Sequence, residues 1–365
     1  MKISFRHYIK YLFGVLVFIA AFSLLNWVEI SGSFRSAGVE AKITQETAIF
    51  DRSHPEIQFA ITVQTRNIHA LMGLPGVVGT AVGLNDAGKP VILVLIKDVG
   101  KAGMIPEHVE GIPLIAKITG EIFAMKAPIV PGVKAAKIKP TAWFPRPVPI
   151  GVSTGNEGEC SAGTIGARVK DATSVYALSN NHVYALENTA PLNSRILQPG
   201  LYDTNCVFDS GNVIGTLSDF EPIVFSTSAS NTIDAAIALT STDLLGNATP
   251  ANGYGTPKSN TVLPSIYLSV QKYGRTTALT KGTVVGINAT VDVGYSSGTA
   301  RFVNQIIVYS SKPFIKPGDS GSLLVTYPGR NPVGLLFAGN VSGTYAIANP
   351  IDEVLKRFGV TIDGE

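Results

Sequence analysis

From Gly151 to the C-terminus the chain is cut into short β-like runs, with Gly, Asn and Ser clusters between them. The runs are Thr164–Val169, Ser174–Leu178, Val213–Leu217, Ile233–Leu239, Ile266–Val270, Thr283–Val293, Phe302–Tyr309, Leu323–Thr326, Val333–Phe337 and Tyr345–Ala348. Such spacing predicts an antiparallel all-β body, either a pair of barrels or a large sandwich. One helix is expected at the very end. Pro350 suits a first turn, and Ile351, Val354, Leu355 and Phe358 recur at helical spacing before Gly359. Composition agrees, since 37 Gly and 22 Pro favour turns over long helices. Charged residues make up 15%, against about 25% in ordinary globular chains. That share, with a net charge of only +3, argues against nucleic acid as a partner and against a disordered or coiled-coil chain.

Upstream the pattern differs. Lys2, Arg6 and Lys10 flank an apolar run from Tyr11 to Leu25, extended by Trp27 and Val28. Residues 1–30 therefore read as an export signal or a membrane anchor, placing the rest outside the cytoplasm. A membrane contact is expected only through this segment. Residues 31–54 read as a spacer and 55–130 as a small α/β domain of open role. In that domain Ile57–Thr65 is helix or strand, Ile105–Glu110 a short helix, and Val77–Leu84, Pro90–Ile96 and Ile112–Ile122 are strands. The glycines of Gly73–Gly79 lack the spacing of a nucleotide fingerprint, and His54, His69 and His108 lack metal-ligand spacing. No cofactor and no metal is expected. Residues 131–149, with five prolines, read as a semi-rigid linker. Cys160 and Cys206 are the only cysteines, and in an oxidising compartment they are the one pair available.

Three points in the β-rich region carry chemistry. In Gly318-Asp319-Ser320-Gly321-Ser322, glycines on both sides of a serine allow a sharp turn that exposes the hydroxyl. The same turn can aim the Gly318 and Ser320 amides at one spot, making an oxyanion hole. Asp-Ser-Gly is also ordinary turn chemistry. His182 is the only histidine after residue 108, hence the only imidazole base this region offers. A structural histidine is the alternative. Asp234 opens an otherwise apolar strand, where an unpaired acid is costly unless an imidazole N–H meets it. The chain order His, Asp, Ser differs from the subtilisin and α/β-hydrolase orders.

Residues 150–365 resemble the trypsin-like serine peptidases of the chymotrypsin fold, in their bacterial secreted form. The resemblance rests on the His182, Asp234 and Ser320 segments, on Gly334–Asn340 as a substrate-binding strand, on Gly343-Thr344-Tyr345 as a pocket wall, and on the terminal helix. It implies a mainly β fold of two six-stranded antiparallel barrels with the site between them, preceded here by the small α/β domain. It also implies endopeptidase activity on polypeptides through an acyl-enzyme, with His182, Asp234 and Ser320 as the triad. Phe314, Ala338, Gly339 and Tyr345 would line the specificity pocket and favour a small or medium apolar side chain. Gly274-Arg275-Thr276-Thr277 resembles a segment in which the arginine pairs with the acid before the nucleophile, here Asp319. Asn180-Asn181, Ser322 and the absence of a cysteine after His182 depart from the pattern. A catalytically silent binding protein and an esterase are the competing readings.

Overall fold

The computed structural model describes residues 49–125 and 139–365. The N-terminal apolar run, expected to be a signal or anchor, and residues 131–138 of the expected linker lie outside them. Among the described residues no helix is long and apolar enough to cross a membrane.

The first part builds a helical layer on a sheet. Helix α1 (Pro55–Arg66) and the short α2 (Ile68–Met72) precede strands β1 (Val77–Leu84), β2 (Pro90–Ile96), β3 (His108–Val109), β4 (Ile112–Ile118) and β5 (Ile122–Ala124). Ile57, Ala60 and Val63 fall on one face of α1 and are buried, which decides for helix at this segment. Strand β2 is buried along its whole length, as a strand covered on both faces must be. The helix expected at Ile105–Glu110 is absent. A 3₁₀ turn at Val99–Met104 and β3 stand there instead. Gly111, at φ +81°, lets the chain turn straight from β3 into β4.

The next strands are β6 (Ser153–Asn156), β7 (Gly163–Thr164), β8 (Ala167–Lys170) and β9 (Val175–Ser179), then helix α3 (Asn181–Tyr184) and strands β10 (Arg195–Leu197), β11 (Val213–Phe220) and β12 (Ala236–Thr240). Their order is β8-β9-β12-β11-β10-β6-β7. Strands β7 and β8 are one bent stretch. Its start pairs with β6 and its end with β9, so the sheet curls into a closed barrel. The bend sits at Gly166, where any Cβ would collide with the carbonyl of Gly321. Cys160 and Cys206 are joined, with Cα atoms 5.2 Å apart, and tie the loop before β7 to the 201–206 turn.

The second sheet uses β13 (Ser269–Gly274), β14 (Ala278–Tyr295), β15 (Gly298–Tyr309), β16 (Leu323–Thr326), β17 (Pro332–Asn340) and β18 (Tyr345–Pro350). These six run β13-β16-β17-β18-β15-β14, and β14 pairs back onto β13, closing a second barrel. Helix α4 (Ile351–Phe358) and β19 (Thr361–Ile362) end the chain, the latter paired with β8 of the first barrel. Strand β1 pairs antiparallel with β14, so the sheet of the first part is continuous with the second barrel. Between the barrels lies a cluster drawn from both, including Val169, Leu178, Ile237, Leu323, Val325 and Leu335, sealed by Ile351 and Val354 of α4. Each such side chain contributes about 1.5–3 kcal/mol on burial, enough to hold the two barrels in fixed register.

Candidate active site

Ser320 sits in the turn before β16, on the second barrel. Gly318 has φ +98° and Gly321 φ +90°, so both need the left-handed backbone that glycine adopts without strain. Space forbids a side chain as well. A Cβ at Gly318 would stand 2.7 Å from Arg275 Nη1, and one at Gly321 would strike Ser179 Oγ. The turn is held from inside by Asp319, which is fully buried. Its Oδ1 accepts from the Thr276 amide at 2.8 Å and the Thr277 amide at 3.1 Å. Its Oδ2 accepts from Thr277 Oγ1 at 2.7 Å and the Lys316 amide at 2.9 Å.

The cation beside Asp319 is Lys272, not Arg275. Lys272 Nζ lies 3.4 Å from Asp319 Oδ2 and is also fully buried. Burial pushes its ammonium below the ordinary lysine range, against the pull of the Asp319 charge. Arg275 instead reaches to the first barrel. Its Nε and Nη2 bond Asp203 at 2.8 and 2.5 Å, and its guanidinium lies 5.0 Å from the Tyr202 ring centre. The expected Arg275–Asp319 pair is thus replaced by two pairs. The physical reason is saturation: four protein donors and Lys272 already occupy the Asp319 carboxylate. The sequence held a signal for Lys272, since a lysine on the same face of β13 as Val270 and Gly274 must find an acid.

His182 and Asp234 come from the first barrel. Strand β9 delivers His182 into α3, and Asp234 lies two residues before β12. Both side chains are fully buried, and His182 Nδ1 stands 2.5 Å from Asp234 Oδ2. Facing a carboxylate, Nδ1 is the protonated nitrogen. Asp234 Oδ1 accepts from the His182 amide at 3.2 Å. The asparagines before the histidine are anchors. Asn180 Nδ2 donates to the Asp234 carbonyl at 2.7 Å, and Asn181 Nδ2 to the Glu221 carbonyl at 2.6 Å.

The two halves adjoin. A Cβ at Gly163 would stand 2.7 Å from Val183 Cγ1 and 3.1 Å from the Ser320 carbonyl. Only a glycine's width therefore separates the residue after His182 from Ser320. Ser320 Oγ donates to the Phe337 carbonyl at 3.1 Å rather than to the imidazole. His182 Nε2 is buried and bonds no described side chain or backbone group.

Tyr295, at the tip of the β14–β15 hairpin, was not foreseen. Its hydroxyl donates to Asp234 Oδ2 at 2.9 Å, and its ring meets that of His182 edge-on at 5.8 Å. Glu187 fixes the hairpin tip by accepting from the Ser297 amide at 2.8 Å. Burial, and then the Asp234 charge, pushes the Tyr295 hydroxyl well above the ordinary tyrosine range. A folded value above the unfolded one means this stabilisation is fully present below pH about 10 and is lost as pH rises through the folded value. Tyr295→Phe removes a hydrogen bond to a charged group, worth about 1.5–3 kcal/mol. We expect the stability of Tyr295→Phe at neutral pH, read from urea midpoints, to fall by about that amount. The urea midpoint of Tyr295→Phe should also fall less than that of the parent between pH about 9 and about 12.

Among the expected pocket residues, Phe314 is buried in the core of the second barrel, in one cluster with Ile315 and Met125. Ala338 and Gly339 lie on β17, and Tyr345 on β18 packs its ring 5.0 Å from Tyr309. Strand β5 lies antiparallel on β17, pairing Ala124 with Ala338, Phe123 with Gly339 and Ile122 with Asn340. The Met125 amide donates to the Phe337 carbonyl at 3.0 Å, and the Gly318 amide donates to the Met125 carbonyl at 2.6 Å. Met125 lay in a segment given no role. Among the described residues no group of three or more His, Cys, Asp and Glu side chains is arranged to hold a metal ion.

Two closed six-stranded antiparallel barrels, with His182 and Asp234 on one and Ser320 on the other, decide the architecture. The fold is the chymotrypsin-like two-barrel fold. No family model matches the chain. Streptogrisin-A of Streptomyces griseus is 36% identical over 97 residues, which is 26% of this chain. The chain spans 30% of that relative's length. Among solved structures, a glutamic acid specific serine protease shares 22% identity over 59% of this chain and 100% of its own, at a TM-score of 0.41. Thermobifida fusca Protease A shares 19% over 60% of this chain and 100% of its own, at 0.43.

Proposed function

We propose that the chain is a serine endopeptidase acting through Ser320, His182 and Asp234. The observation that carries this reading is a peptide carbonyl, that of Met125, held by the Gly318 amide on the very turn that bears Ser320. A backbone amide aimed at a carbonyl oxygen is what an acyl-transfer site needs, and such a donor is worth about 2.7–4 kcal/mol in the transition state.

In this mechanism Ser320 Oγ turns from the Phe337 carbonyl to His182 Nε2, gives up its proton and attacks the carbonyl carbon. Asp234 and Tyr295 keep the imidazole in the Nδ1–H form and stabilise the imidazolium. The Gly318 amide, joined by that of Ser320, receives the developing oxyanion. His182 then protonates the leaving amine, and water releases the acyl group by the same route in reverse. Polypeptide is the partner. The Cys160–Cys206 bond supports an exported location, since such bonds persist where the surroundings oxidise.

A fluorophosphonate probe tests the assignment. Wild-type protein at neutral pH is expected to be labelled at Ser320, and Ser320→Ala to remain unlabelled. Failure of folded wild type to label, together with failure to cut any peptide, would leave a peptidase-shaped binding protein.

A further inference from the structure

We infer that the site selects an unbranched, methionine-sized apolar side chain on the acyl side of the cut bond, and that the bond after Met125 in its own chain is such a substrate. This rests on the serine peptidase reading above and names its specificity.

Three observations converge. First, Ile122–Ala124 adds to β17 as an antiparallel strand, the way an extended peptide docks on an open sheet edge. The strand is held from the other side too, since Phe123 pairs with Gly294 of β14. Second, the Met125 backbone is clamped at both polar groups. Its N–H goes to the Phe337 carbonyl, which also receives Ser320 Oγ, and its carbonyl receives the Gly318 amide. The Met125 carbonyl is therefore the acyl group presented to the hydroxyl. Third, the Met125 side chain fills an apolar recess and is only 3% exposed. It belongs to the same buried apolar cluster as Phe314 and Ile315. A Cβ added at Gly339 would stand 2.7 Å from Ile315 Cγ2 and 3.2 Å from Met125 Cε, so the recess exists because residue 339 is glycine.

The buried cluster that takes up Met125 is apolar, and burying an aspartate or lysine there unpaired would be costly. A flexible thioether, by contrast, fits an irregular apolar space. The step balances as ordinary peptide hydrolysis. The Ser320 Oγ–carbon bond forms and the bond from the Met125 carbonyl carbon to the Lys126 nitrogen breaks. The hydroxyl proton passes through His182 to the Lys126 amine, and one water then frees the Met125 carboxylate.

Two measurements test this on the full chain. Wild type, incubated to completion, is expected to give a fragment whose sequenced N-terminus is Lys126, while Ser320→Ala stays whole. In a peptide series Ile-Phe-Ala-Xaa-Lys, kcat/KM is expected to be highest for Met and Leu, and about 100-fold or more lower for Asp and Lys at Xaa. The inference falls if wild type stays intact after Met125 while its serine still reacts with the probe, or if Asp or Lys peptides are cut faster than Met. Those results leave the peptidase assignment standing. Absence of both labelling and any peptide cleavage overturns both. A Lys126 terminus that also arises in Ser320→Ala shows another enzyme at work and overturns the self-cleavage.

Discussion

His182→Ala is expected to lower kcat about 10⁶-fold on any peptide the parent cleaves, while the variant still folds, at reduced stability. The size follows from what remains. Ser320 Oγ would still stand beside a carbonyl held by Gly318, but with no described group to take its proton. Residues that act as a unit fail as a unit, so the double variant His182→Ala/Ser320→Ala should be no slower than either single one. Asp234→Asn should cost less, about 10⁴-fold, because it reverses the imidazole tautomer without removing the ring. The fold should tolerate His182→Ala because the Asp234 carboxylate is not left bare. Tyr295 Oη and the backbone amide of residue 182 still donate to it. The expected stability loss is the cavity plus one hydrogen bond, about 2–5 kcal/mol. Active-site-titrated kcat and urea midpoints together check this. A fall in kcat below about a hundredfold would mean that another group takes the proton.

The fold was more legible in the sequence than the site. The rhythm of short runs and turns specified antiparallel strands, in a barrel pair or a sandwich, and it was the resemblance carried by the His182, Asp234 and Ser320 segments that implied two barrels. What escaped has physical reasons. Tyr295 lies in a polar hairpin tip, Gly294-Tyr295-Ser296-Ser297, and nothing local says that an 18-residue strand carries that tip across to the other barrel. The exchange of partners between Lys272 and Arg275 turns on which way a long side chain points. That depends on Asp203, a residue of the first barrel. Residues 122–125 read as the end of the strand before them. Their pairing with 338–340 spans more than 200 positions of sequence, a distance over which hydrophobic periodicity carries no information. Phe314 is a pocket residue only by what the resemblance implies. Its neighbours in the barrel core then decided how much of it the pocket sees.

Asp319→Ala is expected to be the most destabilising single change in the site, by about 3–5 kcal/mol. The variant strands four donors: the amides of Thr276, Thr277 and Lys316, and the hydroxyl of Thr277. It also leaves the Lys272 ammonium fully buried without its one carboxylate partner among the described residues, with the Ala278 carbonyl at 3.1 Å and Thr277 Oγ1 still beside it. Lys272→Met should cost less, about 1–3 kcal/mol, because the Asp319 carboxylate keeps all four of those donors. The two variants also differ in pH dependence. In the parent, burial already holds Lys272 below the usual lysine range while Asp319 opposes the shift. Without Asp319 the folded value drops further below the unfolded value of about 10.4, so the unfolded chain binds more protons than the folded one between the two values. Stability of Asp319→Ala should therefore rise more steeply with pH than that of the parent below about 10.4, and Lys272→Met should show no such gain. Both variants loosen the turn that aims the Gly318 amide. A loss of that one donor corresponds to about 10²–10³ in kcat. If Lys272→Met proves as damaging as Asp319→Ala at every pH, the lysine rather than the carboxylate organises the turn.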